Sequence, residues 1–115
     1  PGLVLRDGGL DTVFGVTGGF MQPQGQLQLL VNLIDYRLDV QSAIDHPRFW
    51  WETDRRVVIE QGVPEATCAA LSRWGHEVVR RGHRGIGGGQ AIQALPGGVW
   101  VAGSEPRQDG CAIGF

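Results

Sequence analysis

Two adjacent glycines, Gly18 and Gly19, separate a run of strand character from the longest apolar stretch of the chain. Asp11–Val16 reads as the strand, Thr17 leads into the glycines, and Phe20-Met21-Gln22-Pro23-Gln24-Gly25 reads as a bend before the apolar run Leu27–Leu38. Adjacent glycines accept positive φ and carry no Cβ, so their backbone N–H groups can come close to a ligand. At the end of a strand this admits two readings. One is an oxyanion hole, with two N–H donors aimed at a carbonyl under attack. The other is a tight turn that needs φ > 0. The residues alone leave both open.

The flanking sequence supplies the elements. Leu3-Val4-Leu5, the turn Asp7-Gly8-Gly9 and the strand from Thr12 read as a hairpin. From Gln24 to Arg37, Leu27, Leu30, Val31, Ile34 and Leu38 share one helical face, and Leu29, Leu33 and Tyr36 add a second. Asp39 suits the N-cap of a short helix Val40–Asp45, which Pro47 ends. The aromatic run Phe49-Trp50-Trp51 precedes a strand at Val57-Val58-Ile59. Pro64 opens a third helix with Thr67, Ala70, Leu71 and Trp74 on one face, stopped at Gly75. Glu77–Arg81, Gln90–Leu95 and Val99–Ala102 read as strands, the last two joined through Pro96-Gly97-Gly98, and Cys111-Ala112-Ile113 as a final short one. The order β-β-α-α-β-α-β-β-β lacks the alternation of a doubly wound sheet and predicts a layered α+β protein.

Composition narrows the chemistry. Hydrophobic residues make up 42% and charged residues 19%, values of a globular chain. A net charge of −2 offers no electrostatic case for nucleic acid or an anionic membrane. All ten cations are Arg, so Schiff-base chemistry on a lysine is excluded. No apolar run approaches the roughly 18 residues of a membrane span. His46, His76 and His83 match no usual metal-ligand spacing, so no metal is expected. The basic, Gly-rich stretch Arg80–Gly89 invites a phosphate reading, but it lacks the Lys-Ser/Thr ending and is followed by a strand; it reads as a mobile surface loop. Cys68 and Cys111 read as small buried hydrophobes, with a disulfide left open. Asp109 and Arg107 read as a surface pair of little energy or a turn cap. Of Trp50 and Trp51, adjacent in a strand and so on opposite faces, at least one is expected at the surface.

A series of short motifs runs the whole length in one order. It comprises Thr17-Gly18-Gly19, the Gln-Pro-Gln-Gly bend, Asn32-Leu33-Ile34-Asp35-Tyr36, Ala43-Ile44-Asp45-His46-Pro47-Arg48-Phe49, Arg73-Trp74-Gly75-His76-Glu77-Val78, Gly88-Gly89-Gln90-Ala91-Ile92, and Ser104-Glu105-Pro106-Arg107 with Asp109-Gly110. Together they resemble the C-terminal part of the small subunit of the gamma-glutamyltranspeptidase family. The resemblance implies part of the four-layer αββα sandwich of N-terminal nucleophile hydrolases. It implies amide cleavage or acyl transfer by an N-terminal threonine whose α-amino group acts as base, without a cofactor.

That threonine is not in this chain: Thr12, Thr17, Thr53 and Thr67 are internal, and the chain opens on Pro1, as a piece of something longer would. The family's substrate-binding serine pair would also precede Pro1. Gly18 and Gly19 match the oxyanion pair, and Thr17, Gly18 and Gly19 are the expected substrate contacts. Thr17 stands where the family usually has proline, and Phe20–Gly25 replaces a small, polar stretch, a pattern nearer the amidohydrolases of the family. The implied partners are the large subunit, the start of the small subunit and a small-molecule amide. The isolated segment is expected to self-associate. The alternative is a catalytically inactive free-standing domain that serves as an interaction module.

Overall fold

The computed structural model describes residues 1–114 and contains two sheets and three helices. Strands β1 (Gly2–Arg6) and β2 (Gly9–Val16) form a hairpin, as the sequence predicts, with Asp7 and Gly8 both at positive φ in its turn. β2 pairs with β6 (Gly89–Leu95), and β6 pairs with β7 (Val99–Ser104) through a turn with Gly97 and Gly98 at positive φ. All three pairings are antiparallel, giving a four-stranded sheet in the order β1-β2-β6-β7.

Helices α1 (Met21–Ile34) and α2 (Val40–Asp45) cover one face of this sheet. Phe14, Val16 and Ala91 point inward against Leu29, Val40, Ala43 and Ile44. Two glycines set the spacing. A Cβ on Gly25 would lie 2.7 Å from Val16 Cγ1, and one on Gly103 would lie 2.8 Å from Ile44 Cδ1. The opposite face is largely open among the described residues, with Cys111, Ala112 and Ile113 bordering it beside Ile92 and Ala102. Leu3, Val13, Ile92 and Ala102 are successive register partners across all four strands, and Leu3 and Ile92 remain 67% and 44% exposed.

The second sheet has the order β3-β4-β5, from β3 (Phe49–Thr53), β4 (Arg56–Glu60) and β5 (Glu77–Arg81). β3 and β4 are antiparallel, whereas β4 and β5 run parallel because α3 (Glu65–Arg73) supplies the crossover. β4 is buried on both faces. Val57 and Ile59 meet Cys68 of α3, while Val58 meets Met21 and Ile86 on the other side. Met21, the first residue of α1, thus reaches from the helix over the first sheet into the core of the second.

Several expectations need correction. α1 begins at Met21, so the Gln-Pro-Gln-Gly segment forms its first turns rather than a bend. Pro23 is tolerated because the first-turn N–H groups of a helix have no intrahelical acceptor. The helix ends at Ile34, and Arg37 takes the positive φ beyond it, at 53°. Its buried line runs through Met21, Gly25, Leu29 and Asn32, and Leu27 and Ile34 of the expected face are exposed. On α3, Cys68 is buried and Trp74 points to solvent.

The aromatic run is a strand of its own, β3, with Phe49 and Trp51 exposed and Trp50 half-buried. Residues 111–113 form no strand, and Cys111 is exposed and free, as Cys68 is free but buried. The Arg80–Gly89 stretch is not a surface loop throughout, since Ile86, Gly88 and Gly89 are buried.

Glutamine side chains stand in for neighbouring strands at two sheet edges. Gln24 donates to Trp51 O at 3.0 Å and accepts from Trp51 N at 2.8 Å. Gln28, one helical turn on, does the same for Phe49 O and N at 2.8 and 3.0 Å. Gln41 of α2 pairs in this way with Ser104 of β7, at 2.8 and 3.0 Å. Phe49 and Trp51 are alternate residues, so the two amides of α1 follow the two-residue period of an edge strand.

The whole is extended, with a radius of gyration of 15.2 Å against about 13 Å for a compact domain of this length. It exposes 7469 Å², where a compact monomer of this mass exposes about 6,100 Å². The glutamine pairs make a specific prediction. The amides of Phe49 and Trp51 are expected to be protected from hydrogen exchange although they lie on an edge. Gln28→Ala should speed exchange at Phe49, and Gln24→Ala at Trp51, each by about tenfold for one lost hydrogen bond. Exchange mapped by NMR checks this residue by residue.

Candidate functional site

Beyond the last ladder pair, Val16 with Gly89, the strands β2 and β6 stay joined. Thr17 N donates to Gly88 O at 2.9 Å, and Gly88 N donates to Thr17 Oγ1 at 3.1 Å. Gly18 then lies on Gly87, backbone against backbone. A Cβ on Gly18 would sit 2.9 Å from Gly87 Cα, and one on Gly87 would sit 2.4 Å from Thr17 O. The φ angles are 115° at Gly18, 60° at Gly19 and 75° at Gly87, all in the region that favours glycine.

The carbonyls of the pair turn back to start the helix. Gly18 O accepts from Met21 N and Gly19 O from Gln22 N, both at 3.1 Å. Their N–H groups, by contrast, meet no protein acceptor among the described residues. Both glycines are exposed, and a Cβ on Gly19 would enter open space. Two unengaged amides thus lie at the N-terminus of a 14-residue helix, where the macrodipole favours negative charge. Of the three residues singled out from sequence, Gly18 and Gly19 present free donors. The backbone N–H and hydroxyl of Thr17 are both engaged with Gly88.

Beneath this turn lies a group of buried charges that the sequence reading missed. Arg48 follows α2, Glu60 ends β4, and Glu105 and Arg107 follow β7. Arg48 Nη2 lies 2.9 Å from Glu105 Oε2 and donates to Ile44 O at 3.0 Å. Arg107 holds both carboxylates, Glu60 through Nε at 2.6 Å and Nη2 at 2.7 Å, and Glu105 through Nη1 at 2.6 Å. Glu60 also accepts from Arg48 N at 2.8 Å and meets His83 Nδ1 at 2.9 Å. All four charged side chains are at most 4% exposed.

This group anchors the strand under the glycines. Gly89 N donates to Glu105 Oε2, and Arg48 Nη1 reaches Gly87 O at 3.4 Å. Arg107 is therefore no surface partner of Asp109, and its pairing is with buried carboxylates. Glu60 directly after an apolar run, and Arg48 and Arg107 each following proline, are the traces of this group in the sequence. The histidines do not converge on a metal: no group of three or more His, Cys, Asp or Glu side chains able to hold one occurs among the described residues.

The protonation states follow from the geometry. Burial by itself would raise Glu60, but hydrogen bonds from Arg107, His83 and the Arg48 amide outweigh it and hold Glu60 at about 2. Glu105 is also lowered: burial opposes, while the Gly89 amide, Arg107 and Arg48 prevail. Burial pulls Arg48 down against the pull of Glu105, and Arg107 is raised because its bonds to Glu60 and Glu105 exceed the cost of burial.

The two carboxylates have depressed values in the folded state, so their stabilisation is complete above the unfolded value near 4.5. It is lost as pH falls from there, for Glu60 towards about 2. Thermal unfolding of the protein should show a melting temperature that drops over this range. Glu60 alone accounts for on the order of 3 kcal/mol of it. Glu60→Gln should flatten that slope while costing about 3–5 kcal/mol at neutral pH, because it leaves two buried arginines with Glu105 as their one counter-charge in the group.

The family model described as gamma-glutamyltranspeptidase matches residues 1–115. Acylase ACY 1 proenzyme of Pseudomonas sp. (strain SE83) is 35% identical over 113 residues, which cover 98% of this chain and 20% of that protein. Glutathione hydrolase proenzyme of Escherichia coli (strain K12) is 34% identical over 110 residues, covering 93% of this chain and 18% of that protein. Among solved structures, cephalosporin acylase from Bacillus halodurans superposes with a TM-score of 0.89 at 39% identity, over 93% of this chain and 20% of that one. The chain thus spans about a fifth of these relatives. Its α+β layers are part of the αββα sandwich of the N-terminal nucleophile hydrolases. The chain belongs to the gamma-glutamyltranspeptidase family.

Proposed function

We propose that this chain is the C-terminal segment of the small subunit of a larger amide-cleaving or acyl-transferring enzyme, in which it supplies the oxyanion donors. The observation that carries the proposal is the pair of unengaged N–H groups on Gly18 and Gly19 at the start of α1. Attack on an amide carbonyl moves charge onto its oxygen. Donors fixed beforehand around that oxygen stabilise the tetrahedral transition state more than the planar ground state. The attacking hydroxyl belongs to an N-terminal threonine outside residues 1–115, with its own α-amino group as base. The amine departs with a proton, and water or a second amine then resolves the acyl ester.

Two further observations support a larger enzyme. The surface area exceeds that of a compact monomer, and one face of the four-stranded sheet is apolar and uncovered. In a four-layer sandwich that face packs on the other central sheet, which this chain does not supply. The curated relatives carry the names acylase and glutathione hydrolase, both consistent with amide substrates. By itself the segment should show no amidase activity and should self-associate through Leu3, Ile92, Trp100 and their neighbours. The same exposed face would also serve an inactive interaction module, which predicts no amide turnover by the full-length wild type.

In the full-length protein, Gly19→Ala is expected to lower kcat by about 10²-fold, the scale of one lost oxyanion donor, because its Cβ enters the open space where the substrate carbonyl would approach the amides, with a smaller effect on KM. The Cβ meets no atom, so the fold should bear only the strain of a left-handed alanine, roughly 1–2 kcal/mol. Gly18→Ala is a poorer probe because it collides with Gly87. Melting temperature and kcat measured on the same mature preparation decide the matter. Full kcat with a lowered melting temperature removes Gly19 from the active site.

A further inference from the structure

Phe20 is the most exposed large apolar side chain among the described residues, at 89%. It is not a loosely held residue. Its backbone sits at φ −65° and ψ −14°, within the turn closed by the Gly18 and Gly19 carbonyls, and the next residue, Met21, is buried against Val58 and Ile86. The ring therefore projects from a fixed backbone point one Cα step, about 3.8 Å, from Gly19. A substituent on a carbonyl held by the Gly18 and Gly19 amides would lie near that point. The stretch Thr17–Gly25 contains no charged side chain that could receive an ammonium or a carboxylate at this point. An apolar ring left in water beside two free polar donors is complementary to an amide whose neighbouring substituent is itself apolar.

We infer that Phe20 is a specificity-determining residue, selecting amides with an apolar or aromatic substituent next to the scissile bond over the doubly charged γ-glutamyl group. This rests on the reading of Gly18 and Gly19 as the oxyanion pair. The substituent has two possible positions, the acyl carbon or the amine nitrogen. Both offer the same chemistry to the ring.

The test uses the full-length, matured protein and its Phe20→Ser and Phe20→Leu variants, with melting temperatures recorded alongside kcat/KM. One arm keeps the amine constant and compares phenylacetyl with γ-glutamyl donors. The other keeps the acyl group constant and compares a benzylamide with a glycine amide. In one arm or the other, Phe20→Ser is expected to lower kcat/KM for the apolar substrate about tenfold or more. The loss should fall mainly on KM, the polar substrate should change less than about twofold, and Phe20→Leu should retain most of the preference. An equal loss for both substrates, or no loss for either in both arms, overturns the inference, the former marking Phe20 as a packing residue against another part of the protein. Wild-type turnover of polar substrates alone overturns it too while leaving the oxyanion reading intact. Absence of any amide turnover by the wild type removes both.

Discussion

Two arginines and two glutamates, buried at the junction of the sheets, are the interaction on which this architecture depends. Their charges balance, and their remaining hydrogen-bonding capacity is spent on backbone groups: Arg48 on Ile44 and Gly87, Arg107 on Ile44 and His46, Glu105 on Gly89. A buried ion pair is seldom a large net source of stability, because desolvation offsets the attraction. It does, however, tolerate few alternative arrangements. Here it ties the end of α2, the end of β4, the start of β6 and the segment after β7 to one point. Those four pieces lie far apart in sequence and share no other common contact of this kind.

The same point sets the geometry of the glycine turn. Glu105 and Arg48 hold Gly87 and Gly89, Gly88 holds Thr17 through three hydrogen bonds, and Gly87 leaves room only for a glycine at position 18. On the other side, Met21 is locked into the core of the second sheet. The turn is thus fixed at both ends by buried contacts, while the amides between them remain free. Preorganised donors that are held without being consumed are what electrostatic stabilisation of a transition state requires.

Much of the architecture was legible in the sequence because local signals carry it. The glycine turns at Asp7-Gly8 and Gly97-Gly98, the Asp39 cap and the Pro47 stop each need only a few neighbouring residues to be read. The ordered motifs identified the family and its layered fold. What escaped depends on long-range contacts. The buried line of α1 passes through Gly25 and Asn32, neither of which reads as apolar, because a close approach to Val16 and a bond from Asn32 to Ala43 O decide which side faces in. For Phe49-Trp50-Trp51 the strand was readable, but its pairing with β4 was not. Arg48, Glu60, Glu105 and Arg107 look like surface charges until the fold brings them within 3 Å of one another. The glycine pair itself was visible at once, but nothing in the sequence could tell which of its polar groups the fold would leave unused.

The glutamines at the sheet edges govern how this chain can be extended. A bare edge would accept another strand from any passing backbone. Gln24 and Gln28 occupy the hydrogen-bonding positions of β3, and Gln41 occupies that of Ser104. These amides stop lateral growth there, whereas the described residues leave the apolar row Leu3, Val13, Ile92, Ala102 largely uncovered. The surface left open is that plane, together with the outer edges of β1 and β5. Assembly on that plane proceeds by stacking, one layer onto another, whereas a further strand has β1 and β5 as its open edges.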